Sequence, residues 1–211
     1  MGRCATCEQR IGFFGRLWRK VDGAKHCLKC VPTVMANRRA RTMAEISSGR
    51  EPRFILTLPV LSRDLDYPSN YRRYTGVLVL TDKGVIFAQY GEYKKSQSGA
   101  ALFGVLCNAL DAAVERDRRD AASIGLTNTA GATALAQAQQ LFLFKCDDLR
   151  KMKCSGSGCE LVWGNGWAMF KWLEERKYLK PHRPLLDAYV QAVNRRRDIM
   201  GDCSEVLHAN E

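Results

Sequence analysis

Long apolar runs, histidines and early carboxylates are all scarce in this chain, and each shortage excludes something. No stretch of 18 or more apolar residues occurs. The longest apolar-leaning segment, Ala100 to Val114, is broken by Asn108 and Asp111, so a membrane-spanning helix is not expected. The opening MGRCATCEQR has no apolar signal region, so export by that route is not expected. Only three histidines, His26, His182 and His208, are present, and HExxH, P-loop and GxSxG patterns are missing. Cys107 or Cys154 could pair with His182, but no local pattern supports that, and the chain is not read as an enzyme. These absences point to a cytoplasmic protein, with attachment to a membrane periphery left open. At 46% hydrophobic and 26% charged residues, the composition is that of a folded protein rather than a disordered tail.

Carboxylates are rare in the first quarter. Residues 1–50 hold 11 Lys/Arg against 3 Asp/Glu, whereas residues 51–211 hold 22 against 19, so most of the net +11 sits at the N-terminal end. Four of the nine cysteines sit there too. An odd number of cysteines in a reducing compartment favours metal ligation or buried thiols over disulfides.

What is present is Cys4-Ala-Thr-Cys7, then Cys27-Leu-Lys-Cys30. Each CxxC turn can aim two sulfurs at one tetrahedral centre, and four thiolates close the shell of a structural Zn2+ with no position left for water or substrate. Iron is a smaller alternative for the same donors. His26 is a candidate replacement ligand or a supporting neighbour. A segment this short buries little core, and a metal supplies the missing folding energy. Between the pairs, Ile11 to Gly15 with Leu17 and Trp18 offers apolar contacts, and Val21-Asp22-Gly23 reads as a strand end and turn. The second pair runs into a predicted helix over Val31 to Ser48, with Pro32 in its first turn. With Cys4, Cys7, Ile11, Gly12, Asp22, Gly23, Cys27 and Cys30, this segment of about thirty residues resembles a small bacterial treble-clef or zinc-ribbon domain of pattern CxxC…IG…DG…CxxC. The resemblance implies a metal and leaves the activity open.

Arg38, Arg39 and Arg41 on that helix join Arg16, Arg19, Lys20, Lys25 and Lys29 of the head, interspersed with Phe13, Phe14 and Trp18. This composition suits nucleic-acid phosphates, an anionic lipid surface or an acidic protein partner, and equally a plain solvated face. Four thiolates and one zinc lower the local +8 to about +6. Gly49 to Pro52 reads as a break, giving a zinc module with basic helix over 1–50 and a second domain over 53–200.

In that second domain Arg53–Leu58, Tyr74–Leu80, Val85–Tyr90, Leu141–Phe144, Leu149–Cys154, Cys159–Trp163 and Trp167–Trp172 read as short strands. A helical insertion is expected at about 96–140, carried by Leu102, Leu106, Leu110, Ala113 and Val114. Leu185, Leu186, Tyr189, Val190 and Val193 form the stripe of a C-terminal amphipathic helix, and 201–211 reads as a tail. The fold class is therefore α+β. On the hairpin Thr75-Gly76-Val77-Leu78-Val79-Leu80-Thr81-Asp82-Lys83-Gly84-Val85-Ile86-Phe87, and on the strand–helix order after it, the domain resembles the pleckstrin-homology-like (PH-like) superfold in its bacterial, GRAM-related form. That resemblance implies an antiparallel sheet or barrel with a capping helix, and binding of a protein partner or of phosphoinositide. Arg72, Arg73, Lys83, Lys94 and Lys95 are the basic residues available for such a ligand. Cys154 and Cys159 are expected to face each other across a Ser-Gly turn, as buried thiols or a redox-sensitive pair. A second metal site there needs more ligands, of which Cys146 is the nearest. The reading is a non-catalytic zinc-binding adaptor that docks on a protein or an anionic membrane, with a zinc-dependent nucleic-acid binder as the alternative.

Overall fold

The computed structural model describes residues 2–12, 18–63, 65, 73–92, 129–164, 166–173 and 179–208. Two short strands, β1 (Gly2–Arg3) and β2 (Arg10–Ile11), pair around the first CxxC turn. A hairpin follows, β3 (Trp18–Val21) and β4 (Ala24–Cys27), joined by Asp22 and Gly23 with φ of +49° and +82°. Two left-handed residues match the right-handed twist of the flanking strands, which is why Asp-Gly marks the turn. Cys30 then starts helix α1 (Val31–Ser47), with Pro32 in its first turn, where a missing N–H costs nothing.

The larger part of the chain is a seven-stranded antiparallel sheet. Its strands are β5 (Phe54–Arg63), β6 (Arg73–Thr81), β7 (Gly84–Glu92), β8 (Gln140–Lys145), β9 (Leu149–Cys154), β10 (Gly158–Trp163) and β11 (Gly166–Trp172). Their order is β8-β7-β6-β5-β11-β10-β9. Helix α2 (Thr129–Gln137) precedes β8, and α3 (Arg183–Arg195) and α4 (Ile199–His208) follow β11. The β6–β7 turn is held by the Thr81 hydroxyl, which accepts from the amides of Lys83 and Gly84 and donates to the Gly84 carbonyl. Gly84 has φ +151°, and a Cβ there would lie 2.2 Å from the Phe144 carbonyl oxygen. Only glycine lets β7 and β8 approach at that point.

Two apolar clusters explain why β6 and β7 are buried on both faces. The inner one joins Leu58, Val60, Leu78, Leu80, Phe87, Leu161 and Phe170 to Leu186, Tyr189 and Val193 of α3. The outer one sets Met43 and Ile46 of α1 and Ala134 and Leu135 of α2 over Val77, Val79, Ile86, Ala88 and Leu141. The continuous GVLVL run is thus a two-sided strand rather than an alternating one.

Of the two expected forms, sheet or barrel, the first is observed, and one further expectation is corrected. The sheet is open and not a closed barrel: β8 and β9 are its two edges although only residues 146–148 separate them in sequence. A helix attends each edge instead. Asn194 of α3 uses both ends of its amide on one residue of β9, accepting from the Met152 amide and donating to its carbonyl, each at 2.8 Å. Along β8, α1 contributes Arg38 to Gln140 and Glu45 to Lys145. The Met152 amide and carbonyl engaged this way are not available for edge-to-edge association at β9. The correction concerns the tail. Residues 201–208 belong to α4, whose Cys203 is fully buried and whose start is capped by Asp198 Oδ1 accepting from the Met200 amide at 3.0 Å. The strand and helix expectations otherwise hold to within a few residues at their ends. Of the insertion, residues 129–137 are helical, and 93–128 lie outside the described residues. Among the described residues no helix is long and apolar enough to cross a membrane.

Candidate metal centre

The four cysteines come together from two distant turns. The sulfurs of Cys4, Cys7, Cys27 and Cys30 all lie within 4.8 Å of one another, and Cys7 and Cys27 are 3.7 Å apart. A tetrahedral zinc with bonds of about 2.3 Å has sulfur–sulfur edges of roughly 3.8 Å, so the spacing of this pair fits the ion. Local hydrogen bonds shape each turn. The Cys4 carbonyl accepts from the Glu8 amide and the Cys4 amide donates to the Gln9 carbonyl, both at 2.9 Å, with Glu8 at φ +59°. On the other side the Cys30 amide donates to the Cys27 carbonyl at 3.0 Å. The halves are joined by the Ala5 amide donating to the Lys25 carbonyl at 2.9 Å.

Electrostatics prepare one sulfur for ionisation. The Cys27 amide points at Cys4 Sγ from 3.2 Å. That contact, with the Cys7 and Thr6 amides, brings the Cys4 thiol down to about 5 despite its burial. Cys30 is pushed up to about 12, first by the Cys27 thiol and then by Cys7 and burial, because crowded sulfurs resist sharing negative charge. A divalent cation reverses that balance and holds all four as thiolates. Cys30 also stands at the N-terminal end of α1, where the free amides and the helix dipole favour negative charge.

His26 is buried and shares a hydrogen bond with the Thr6 hydroxyl through Nδ1 at 2.9 Å. It braces the first CxxC turn from the hairpin and is not among the four clustered donors. Trp18 lies under Lys25, whose Nζ is 4.5 Å from the ring centre. Phe13, Phe14, Arg16 and Leu17 lie outside the described residues.

The basic residues expected to face a partner have mostly different work. Arg38 is only 6% exposed. Its guanidinium lies 4.3 Å above the Phe142 ring, donates to Gln140 Oε1 at 3.0 Å and sits 3.6 Å from Asp22. The expectation of a solvent-facing Arg38 is therefore corrected: the helix turns it into the seam against β8. Arg39 donates to the carbonyls of Ala138 and Ala136, at 2.8 and 3.1 Å, just where α2 ends. Lys83 donates to the carbonyls of Ile46 and Ser48, at 2.8 and 2.7 Å, closing the end of α1. Terminal helix carbonyls lack intrahelical partners, and long cationic side chains satisfy them. Arg41 is 72% exposed and pairs with Asp22 at 3.1 Å. Arg73 is exposed at the start of β6. Arg72, Lys94 and Lys95 lie outside the described residues. The head is further tied to the sheet by Arg19, which donates to the Tyr74 hydroxyl.

Sequence reasoning missed the seam itself. A cleft of about 580 Å³ lies among the hairpin tip, α1 and β8, lined by Lys20, Arg41, Thr42, Leu65, Phe142 and Trp163 among others. Its carboxylates are already engaged, Asp22 by Arg38 and Arg41, and Glu45 by Lys145. No local motif marks it, because its walls come from residues over 100 positions apart.

Cys154 and Cys159 are cross-strand neighbours as expected, with sulfurs 2.7 Å apart. The Cys159 thiol is held well above its ordinary range, first by Cys154 and then by burial. Cys146 does not join them in a second donor cluster among the described residues; burial pushes its thiol up to about 11.

The chain matches no protein-family model, no curated protein and no solved structure.

Proposed function

We propose that the protein is a non-catalytic zinc-binding adaptor. A treble-clef head is welded by helix α1 to a PH-like sheet domain, and the sheet domain meets the partner. The observation that carries this reading is the cluster of four sulfurs at the root of a helix that runs along the β8 edge of the sheet. Cys4, Cys7, Cys27 and Cys30 would hold the zinc, which supplies folding free energy to a segment too small to bury a core of its own. Four thiolates complete a tetrahedron, so the site binds neither water nor substrate. Knuckle, hairpin and helix in that order support the treble-clef assignment. Seven antiparallel strands followed by a helix packed on the inner face support the PH-like one.

Metal analysis of the purified full chain tests the reading. One equivalent of zinc is expected, falling below half an equivalent in Cys27→Ser, together with faster proteolysis within residues 1–50. Less than half an equivalent in the parent chain, unaltered by Cys27→Ser, overturns it.

A further inference from the structure

Among the described residues, the outer face of the sheet is covered on one half only. Helices α1 and α2 pack over β6, β7 and β8 and reach Phe54 at the start of β5. On β11 the outward side chains are Trp167, 52% exposed, Met169, 46% exposed, and Lys171. Cross-strand register places Val162 beside Trp167 and Glu160 beside Met169 on β10, then Lys151 and Lys153 beside those on β9. Strands β9 to β11 carry four cations, Arg150, Lys151, Lys153 and Lys171, against one carboxylate, Glu160. Lysines on β9 alone would need no further account, since they discourage pairing at a sheet edge. β11 is an interior strand, and an exposed tryptophan, methionine and lysine on its face have no such explanation.

We propose that the outer face of β9, β10 and β11 docks on an anionic membrane surface. Trp167 and Met169 enter the boundary between headgroups and acyl chains, while Lys151, Lys153 and Lys171 meet the anionic headgroups. This rests on the reading of the sheet domain as the binding half of an adaptor. Three features select lipid over other acidic partners. Lysine is depleted in protein–protein interfaces and is concentrated here. A single exposed ring gives no platform on which successive nucleic-acid bases can stack. An indole beside long lysine stems is the composition of a membrane interface, where apolar bodies sink and charged heads stay wet. Neither signal anchors the chain alone, and the two together give reversible attachment.

Co-sedimentation of the zinc-loaded full chain with phosphatidylcholine vesicles, with and without a minority of phosphatidylserine, tests this. Binding is expected only with phosphatidylserine and is expected to weaken as salt rises. Replacing the three lysines by glutamate should weaken it on the order of 100-fold. Trp167→Ser with Met169→Ser should weaken it about tenfold. Lipids brominated on the acyl chains should quench part of the tryptophan emission of the parent chain, and that part should be missing in Trp167→Phe. The quenching comparison decides the matter if the lysine variant fails to fold. Equal binding to both vesicles, no binding at low salt, or quenching unchanged in Trp167→Phe overturns the proposal. So does binding of a single-stranded oligonucleotide that the same variants abolish. Zinc content reads the adaptor assignment and vesicle binding reads this one, so either can fail alone.

Discussion

Replacing Arg38 is the sharpest probe of how the head is fastened to the sheet. Arg38→Ala removes a charged donor from buried Gln140, a contact worth about 1.5–3 kcal/mol. It also removes a guanidinium stacked on Phe142, worth about 1–2 kcal/mol. The ion pair with Asp22 adds little, under about 1 kcal/mol, because it spans 3.6 Å and the Asp22 side chain is 47% exposed. Desolvation of the guanidinium offsets part of the sum, since a buried charge gives up its hydration. The net expectation is a loss of about 3 kcal/mol, or roughly 6–12 °C in Tm for a chain of this size. Arg38→Met keeps apolar contact with Phe142 but leaves buried Gln140 without its charged donor, so about 1–2 kcal/mol is expected. Asp22→Ala should cost less than about 1 kcal/mol.

Urea unfolding of the zinc-loaded chain, followed by circular dichroism, reads all three variants. A cost below about 1 kcal/mol for Arg38→Ala, or an equal cost for Asp22→Ala, would mean that the stack and the Gln140 bond do not fasten the head. Strong salt should leave most of the Arg38→Ala loss in place, because the stack and the Gln140 bond are buried. A consequence follows for the nucleic-acid alternative. An Arg38, Arg39 and Arg41 triple alanine variant destabilises the fold, so diminished binding by that variant says nothing about phosphate contacts. Arg41→Ala is the cleaner test of a basic surface.

Asn194→Leu deprives the Met152 amide and carbonyl of the Asn194 side-chain amide, and a loss of about 2 kcal/mol is expected by urea unfolding, with faster amide exchange on β9. An unchanged midpoint would mean that the edge needs no such cover. Gly84→Ala forces a Cβ to 2.2 Å from the Phe144 carbonyl at a φ of +151°, so a loss on the order of 3 kcal/mol is expected, and a stable variant with native spectra would refute the close approach. Acid should release the metal. Every sulfur ligand must stay deprotonated, so protons compete with the ion and its affinity falls as pH falls. Dialysis at pH 4 should therefore remove zinc that is retained at pH 7, and a full equivalent held at pH 4 would contradict four-thiolate ligation.

Much of the site was readable without coordinates. Cys4, Cys7, Cys27 and Cys30 were legible because a CxxC turn is a local object whose two sulfurs converge whatever surrounds it. Asp22 and Gly23 were legible for the same reason, since two left-handed residues belong to a two-residue hairpin turn. The α3 stripe from Leu185 to Val193 also shows in the spacing alone, and those residues lie buried against the sheet. Helix α4 was missed although Asp198 offered a cap signal, because charged and small residues dilute its apolar spacing.

Sequence alone thus determined the four-cysteine cluster, the hairpin turns, and most of the strands and helices, because each depends on residues within a few positions of one another. Tertiary structure decided what the charges do and where the sheet stops. Arg38 reads as a solvated arginine until α1 lies along β8, and only then do Phe142 and Gln140, over 100 residues away, fill its surroundings. Lys83 reads as a ligand contact until the end of α1 arrives above it. The same holds for Trp167, whose alternation with buried Ala168 says that it points outward but not whether a helix covers it. A charged or aromatic side chain takes its role from whichever partner the fold brings within hydrogen-bonding or van der Waals reach, and that distance is set by packing between elements far apart in the chain.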